Sequence, residues 1–183
     1  MATAKRLKAT QLFSEASIAV MDAVGNDLLI MPETQIVRQK LRHRTVLVAL
    51  RNTHGHVFLY KSSAAGSGSD QQGEVWLPAV HGRVLADESR HDAALRLLGE
   101  TLGIAELELF EAARFSHSEI GHVENVETTL FLTAKTSALP RMRTQDSLDG
   151  MFVDKEELRA IIRDYPHMVT PFWNLALPYF FTP

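Results

Sequence analysis

Gly82 to Ile104 reads GRVLADESRHDAALRLLGETLGI, and this stretch decides the fold. It parses as a short loop, one amphipathic helix and a glycine stop. Asp87 and Ser89 stand where helix N-caps accept the first free backbone N–H groups, and acids there suit the positive end of a helix dipole. Ala94, Leu95, Leu98 and Leu102 recur at helical spacing and form the stripe expected to face a core. Gly103 sits where a left-handed terminating residue belongs, with Ile104 as its apolar companion. Arg96 and Glu100 lie one turn apart on the opposite side, close enough to pair.

The flanks supply strands. Val75 to Pro78 is an apolar, strand-like run ahead of the helix. Ser17 to Val20 and Leu28 to Met31 flank Gly25-Asn26 and predict a hairpin. Thr45 to Arg51 and His56 to Lys61 flank Asn52 to Gly55 and predict another. Ser62 to Glu74 is rich in Gly and Ser and reads as a surface loop. Further strands are expected near Leu109 to Ser116, Val126 to Ala134 and Met151 to Val153, with a loop over Ser137 to Asp149. Asp154 and Glu157 make a capping-box pattern that opens a helix to about Asp164. Thr170-Pro171 opens a last helix that Pro178 should stop.

The spacing of the central stretch resembles the Nudix box, G-x5-E-x7-R-E-U-x-E-E-x-G-U, where U is aliphatic. Gly82, Glu88, Arg96, Leu98, Glu100, Gly103 and Ile104 fit without a gap, while Leu97 and Thr101 stand where the family has glutamates. The resemblance implies an α/β fold, the Nudix-type α/β/α sandwich on a mixed β-sheet. It also implies one Nudix-like domain over residues 1–183, with a short N-terminal extension and a C-terminal helix. In the family the box glutamates gather divalent cations against a diphosphate. The implied activity is therefore hydrolysis of a nucleoside-diphosphate-linked or other organic diphosphate. Glu100 and Arg96 are the implied catalytic residues, and Gly82, Glu88 and Gly103 the structural ones. Magnesium or manganese, weakly bound, would take Glu100 and Glu124. Arg44 and Arg83 stand next to the motif segments and would suit phosphate, which guanidinium binds bidentately.

A wider resemblance runs through Ile18 to Asp22, Leu41-Arg42-His43-Arg44, His81-Gly82 and Val123 to Asn125. These segments look like the isopentenyl-diphosphate isomerase-like branch. His81 stands where that branch has its cysteine nucleophile and Arg83 where it has a metal histidine, so true isomerase chemistry is disfavoured; His43 matches the branch's L-x-H-R histidine, which leaves a zinc or manganese site of His43 and His81 with Glu100 or Glu124 as an alternative ligand set.

Each residue also has a plainer reading. Glu88 is a dipole partner at the helix entrance; Glu124 and Glu127 form a solvated strand start, on opposite faces by period-two alternation. Arg42, Arg44 and Arg83 are surface charge. His43 and His81 are hydrogen-bonded or exposed histidines rather than ligands, and Leu97 widens the apolar stripe. Under these readings the fold is a non-catalytic binding module. Hydrolase, binding module and isomerase-like enzyme are thus the three candidate classes.

Composition narrows the rest. A chain of 183 residues can bury a real core. Net charge of −3 gives no broad basic face for nucleic acid, so the expected partner is a small-molecule diphosphate or nucleotide. There is no cysteine, hence no disulfide framework or thiolate chemistry. Neither a continuous apolar signal region nor a span-length apolar run occurs, so a cytoplasmic location away from membranes is expected. Oligomeric state is left open.

Overall fold

The computed structural model describes residues 16–62, 75–78, 80–116, 125–141, 150–169 and 172–181. Its centre is a mixed sheet in the order β6 (Val80–Arg83), β3 (His43–Ala49), β8 (Val126–Thr133), β7 (Leu109–Ser116). β3 and β8 run parallel, and the two outer pairings are antiparallel. A second, antiparallel sheet has the order β5 (Val75–Pro78), β4 (Val57–Ser62), β9 (Gly150–Val153). Helix α2 (Arg90–Leu102) covers one face of the central sheet. Helices α3 (Lys155–Asp164) and α4 (Phe172–Phe180) pack on the other side. This is the expected α/β sandwich.

The run Thr45 to Leu50 shows why β3 sits in the middle. Val46, Val48 and Leu50 point toward α2 and pack with Ala93, Ala94, Leu98 and Leu102. Leu47 and Ala49 point the other way and pack with Leu130, Leu158 and Phe180. A strand buried on both faces has no polar side to alternate with, so its sequence reads as unbroken hydrophobe.

α2 starts at Ser89, whose side chain accepts from Asp92 N, and ends at Gly103 with φ of 65°. Gly103 N–H returns to the Gly99 carbonyl at 3.1 Å, a left-handed stop that a side chain would strain. The buried stripe is Ala93, Ala94, Leu98 and Leu102. Leu95 lies at its edge, half-buried, and Ala93 takes the place expected of it. Asp87 is exposed and does not cap.

A smaller unit leans on this body. β1 (Ser17–Met21) and β2 (Asp27–Pro32) form the first hairpin, and α1 (Glu33–Gln39) follows. Ile18 and Val20 pack with fully buried Ile36. Two ion pairs fasten the unit to the central sheet: Arg44 to Asp27, and Arg83 to Glu33 at 2.7 Å.

Two further expectations need correction, and one element was not foreseen. The second predicted hairpin has its turn, with Asn52 Oδ1 accepting from His54 N and His56 N at 2.9 Å each. Its strands then diverge, β3 to the central sheet and β4 to the second one, because each finds a better-buried neighbour there. Pro178 does not stop α4, which continues to Phe180. Complete burial of Phe180 offsets the helix hydrogen bond that proline cannot donate. Finally, α1 was not foreseen. Of the two expected loops, residues 63–74 and 142–149 lie outside the described residues.

The capping box of α3 is complete: Asp154 Oδ1 accepts from Glu156 N and Glu157 N, and Glu157 Oε2 accepts from Asp154 N at 2.8 Å. Asp154→Ala should therefore lower stability by about 1 kcal/mol, read as a shifted urea midpoint at unchanged slope. No shift would mean that α3 is held by Leu158 packing alone.

Candidate functional site

The loop from Arg83 to Ser89 and the helix that follows are locked together by Arg96. Its Nε donates to Glu88 Oε2 at 2.9 Å, and its Nη2 donates to Glu88 Oε1 at 2.6 Å and to the Arg83 carbonyl at 3.1 Å. Nη1 reaches Glu100 Oε2 at 3.1 Å, the one-turn pairing expected of these two residues. Glu88 Oε1 also accepts from Leu85 N at 2.8 Å. Burial pushes the Glu88 carboxyl up, but the hydrogen bonds from Arg96 and Leu85 outweigh it and hold the group below its ordinary value.

Leu97 occupies the space where the family pattern has an acid. It lies over Gly82, which pairs with Val46 across β6 and β3. A Cβ on Gly82 would come within 2.6 Å of Leu97 Cδ2 and 2.7 Å of Cδ1. The glycine leaves the space that the Leu97 side chain fills, and a side chain there would make the leucine shift. Thr101 is half-buried, and Glu100 keeps 60% of its side chain exposed with Arg96 as its counter-ion.

The other proposed ligands are scattered. His43 is 1% exposed, and its Nδ1 lies 2.9 Å from the Leu41 carbonyl. His81 is exposed on β6 and pairs with Leu47, four residues along β3 from His43 and so roughly 13 Å away along the strand. Glu124 lies outside the described residues. Glu127 opens β8 and is ion-paired with Arg90. Among the described residues no three acidic or histidine side chains gather to hold a metal ion. Of the three box positions where the pattern has acids Glu100 alone is a carboxylate, a thin donor set for magnesium, which usually takes one or two carboxylates and completes its shell with water and phosphate.

Arg44 and Arg83, expected at phosphate, already have carboxylate partners in Asp27 and Glu33. They differ in what surrounds them. Arg44 lines a pocket of about 560 Å³ beside the first turn of α2, which Arg83 does not reach. Val84, Leu109 and Phe131 belong to the apolar part of that pocket, and Asp27, Glu88, Arg90, Glu111 and Arg114 join Arg44 in its charged part. Glu111 accepts from Arg114 Nε at 2.6 Å and Nη2 at 3.0 Å, and these bonds, with the nearby Arg90 charge, hold its carboxyl below the ordinary value. The sequence reading passed over Arg90, Arg114 and Glu111. Only the folding of β7 and β8 against α2 brings them together.

A model of the NUDIX domain matches residues 41–170. The chain belongs to the Nudix family. Solved structures agree on the fold. A protein of Deinococcus radiodurans superposes with a TM-score of 0.64 at 18% identity, covering 81% of this chain and 89% of that one. The MutT NUDIX hydrolase of Burkholderia pseudomallei gives 0.57 at 18% identity, over 75% and 97%. The NUDIX domain of Shewanella oneidensis NrtR, solved with ADP ribose, gives 0.54 at 16% identity, over 80% and 94%. Comparison with curated proteins gave no match. Among the described residues no helix is long and apolar enough to cross a membrane.

Two experiments test this geometry. Glu88→Gln should cost about 2 kcal/mol at neutral pH, since it leaves Arg96 facing a neutral amide. A depressed carboxylate stabilises above its unfolded pKa, and that stabilisation is lost as pH falls through the folded value. The penalty should therefore shrink as the pH is lowered past the ordinary glutamate value of about 4.3; an equal penalty at neutral and acid pH in urea titrations would remove the charge from the explanation. Gly82→Ala should cost about 1–2 kcal/mol by overpacking, and most of that cost should vanish in a Leu97→Ala background. Additive penalties would mean that the two residues do not share the contact.

Proposed function

We propose that this Nudix protein binds an organic diphosphate of the nucleoside-diphosphate-linked kind, and that its box helix serves packing rather than hydrolysis. The observation that carries this reading is Leu97 seated on Gly82. The seat of one expected acid is filled by methyl groups, the second expected acid is Thr101, and the third position, Glu100, is bound by Arg96. The loop–helix architecture is tied by Glu88, Arg96 and Gly103, through bonds made within the chain. The ADP ribose complex of the NrtR domain supports a ligand of this chemistry on this fold. The pocket beside α2 offers apolar groups together with three arginines, each facing a carboxylate that a ligand would compete with. Residues 1–183 are read as a single Nudix-like domain.

One observation favours the second reading, a diphosphate hydrolase with an altered magnesium or manganese site. Glu100 is mostly exposed and makes a single 3.1 Å bond to Arg96, so its carboxylate is open to competition. Glu124 would then be its partner. For the isomerase-like branch nothing comparable speaks: His81 is on an edge strand, and Arg83 is paired with Glu33.

The double substitution Leu97→Glu with Thr101→Glu separates the readings. On the binding reading, the wild type binds ADP ribose without cleaving it, and the double variant gains magnesium-dependent hydrolysis as three acids return to one helix side. Wild-type hydrolysis abolished by Glu100→Gln would establish the second reading instead. Melting curves with and without magnesium accompany the assay, since a new carboxylate over Gly82 is costly until it is neutralised.

A further inference from the structure

Five of the nine large apolar side chains that stand exposed among the described residues lie within one short stretch: Val24, Leu28, Leu29, Ile30 and Val37. Three of them are consecutive in β2, which is exposed from Asp27 to Ile30 on both faces. A strand with one face in water alternates polar with apolar residues, and this run has no polar half. We propose that the outer edge of β2 pairs with β2 of a second copy of this chain, antiparallel, about a twofold axis at Leu29.

The direction of the backbone groups follows from the bonds around β1. Glu33 N–H donates to the Ala16 carbonyl at 2.9 Å, so the pairs in step with it, Ile18–Met31 and Val20–Leu29, turn their backbone groups toward each other. Ser17 and Met21 turn outward, and both are used: the Ser17 carbonyl accepts from Ala86 N and Met21 N–H donates to the Arg42 carbonyl, at 2.8 Å each. On β2 the outward position is Ile30, and among the described residues nothing pairs with its backbone on that side. Pro32 shares the outward phase, which is where an edge strand accepts a proline. The hairpin is thus closed beyond β1 and open beyond β2. A two-stranded ribbon is marginal alone and gains from further strands. Other edges are guarded. β7 carries the Glu111–Arg114 pair and a bulge, and β5, β6 and β9 have four residues each. β2 has its bulge beside the turn and no charge after Asp27.

Parity and charge select the partner and the register. Outward residues must meet outward residues, so the axis passes through a residue and not between two. An axis at Ile30 would set Asp27 against the partner's Glu33, like charges face to face. An axis at Leu28 would set Ile30 against Asn26. The axis at Leu29 sets Leu29 against Leu29, Ile30 against Leu28, and Asp27 against Met31. The strand is complementary to itself: an aliphatic run with an acid beyond each end meets the same run reversed. The turn carrying Val24 then lies toward the start of the partner's α1, the helix that carries Val37. Asp27 opens β2 and lines the pocket, so the pairing steadies one of its walls. Five aliphatics a side is modest beside the about 800 Å² per partner of a standard interface, and the dimer should dissociate on dilution.

Sedimentation velocity of the full chain over about a hundredfold range of concentration tests the pairing. The wild type should pass from 20.5 kDa toward twice that mass. Ile30→Lys charges an exposed edge position; it should keep the melting temperature measured at low concentration and weaken the dimer at least about tenfold. The chain has no cysteine, so a disulfide in a single-cysteine variant joins two copies. Leu29→Cys should cross-link under mild oxidation, because Cα atoms in a non-hydrogen-bonded pair are about 4.5 Å apart. Ile30→Cys should cross-link far less, since its two copies stand two residues out of step. If Ile30→Lys fails to fold, the cysteine variants decide. Dominant cross-linking at Ile30, or a dimer that a folded Ile30→Lys variant leaves intact, would overturn the proposal. A monomer at every concentration would also overturn it, and hydrogen exchange at the Ile30 amide then separates the causes: slow exchange means that the chain covers its own edge, fast exchange that the edge is left for a different partner.

Discussion

Everything around the box depends on the guanidinium of Arg96. Four hydrogen bonds leave it: two to Glu88, one to Glu100 and one to the Arg83 carbonyl. They fix the path of the loop between β6 and α2, and through Glu88 they also fix Leu85. That loop is one wall of the pocket, so the arginine that closes the box also shapes a cavity it does not line. Its partner Glu88 is 13% exposed on its side chain, which keeps solvent from competing for the pair. A charge pair of this kind acts by geometry as much as by energy.

Much of the fold was legible because the deciding patterns are local. Ser89, Gly103 and the alanine–leucine stripe announce α2 from within one stretch, and Asp154 with Glu157 does the same for α3. β3 was legible for another reason: a run buried on both faces leaves no polar residue to obscure it. What escaped was set by distant partners. Pro178 reads as a helix stop until Phe180 is seen to be buried in the core beyond it. The turn at Asn52 predicts a hairpin correctly, but whether its strands stay together is decided by β8 and β9, far along the chain.

The candidate site divides in the same way. Arg96 and Glu100 lie one turn apart on α2, and their pairing follows from spacing; the pairing of Arg96 with Glu88, eight residues earlier in the loop, does not. Arg44 and Arg83 could be flagged as cations near the motif, but their partners Asp27 and Glu33 lie 17 and 50 residues away. Arg90 meets Glu127 across 37 residues. Charge in a sequence does not say whether it is free. For a site built from ion pairs, only the fold separates a surface arginine from one held in reserve.

The box positions in this chain fall into two groups with different energetics. Gly82, Glu88, Arg96 and Gly103 hold backbone to backbone, and they would do so with or without a ligand. Positions 97, 100 and 101 would, as three glutamates, place like charges one turn apart, which destabilises a helix by a few tenths of a kcal/mol per pair until a cation neutralises them. Leu97 reverses that term. Its methyls cover Gly82, and even partial burial of a leucine is worth roughly 1–2 kcal/mol. Thr101 adds no charge, and Glu100 retains its countercharge in Arg96. The helix therefore carries less like-charge repulsion than three glutamates would give it, and its packing on β6 gains what the charge at position 97 would cost.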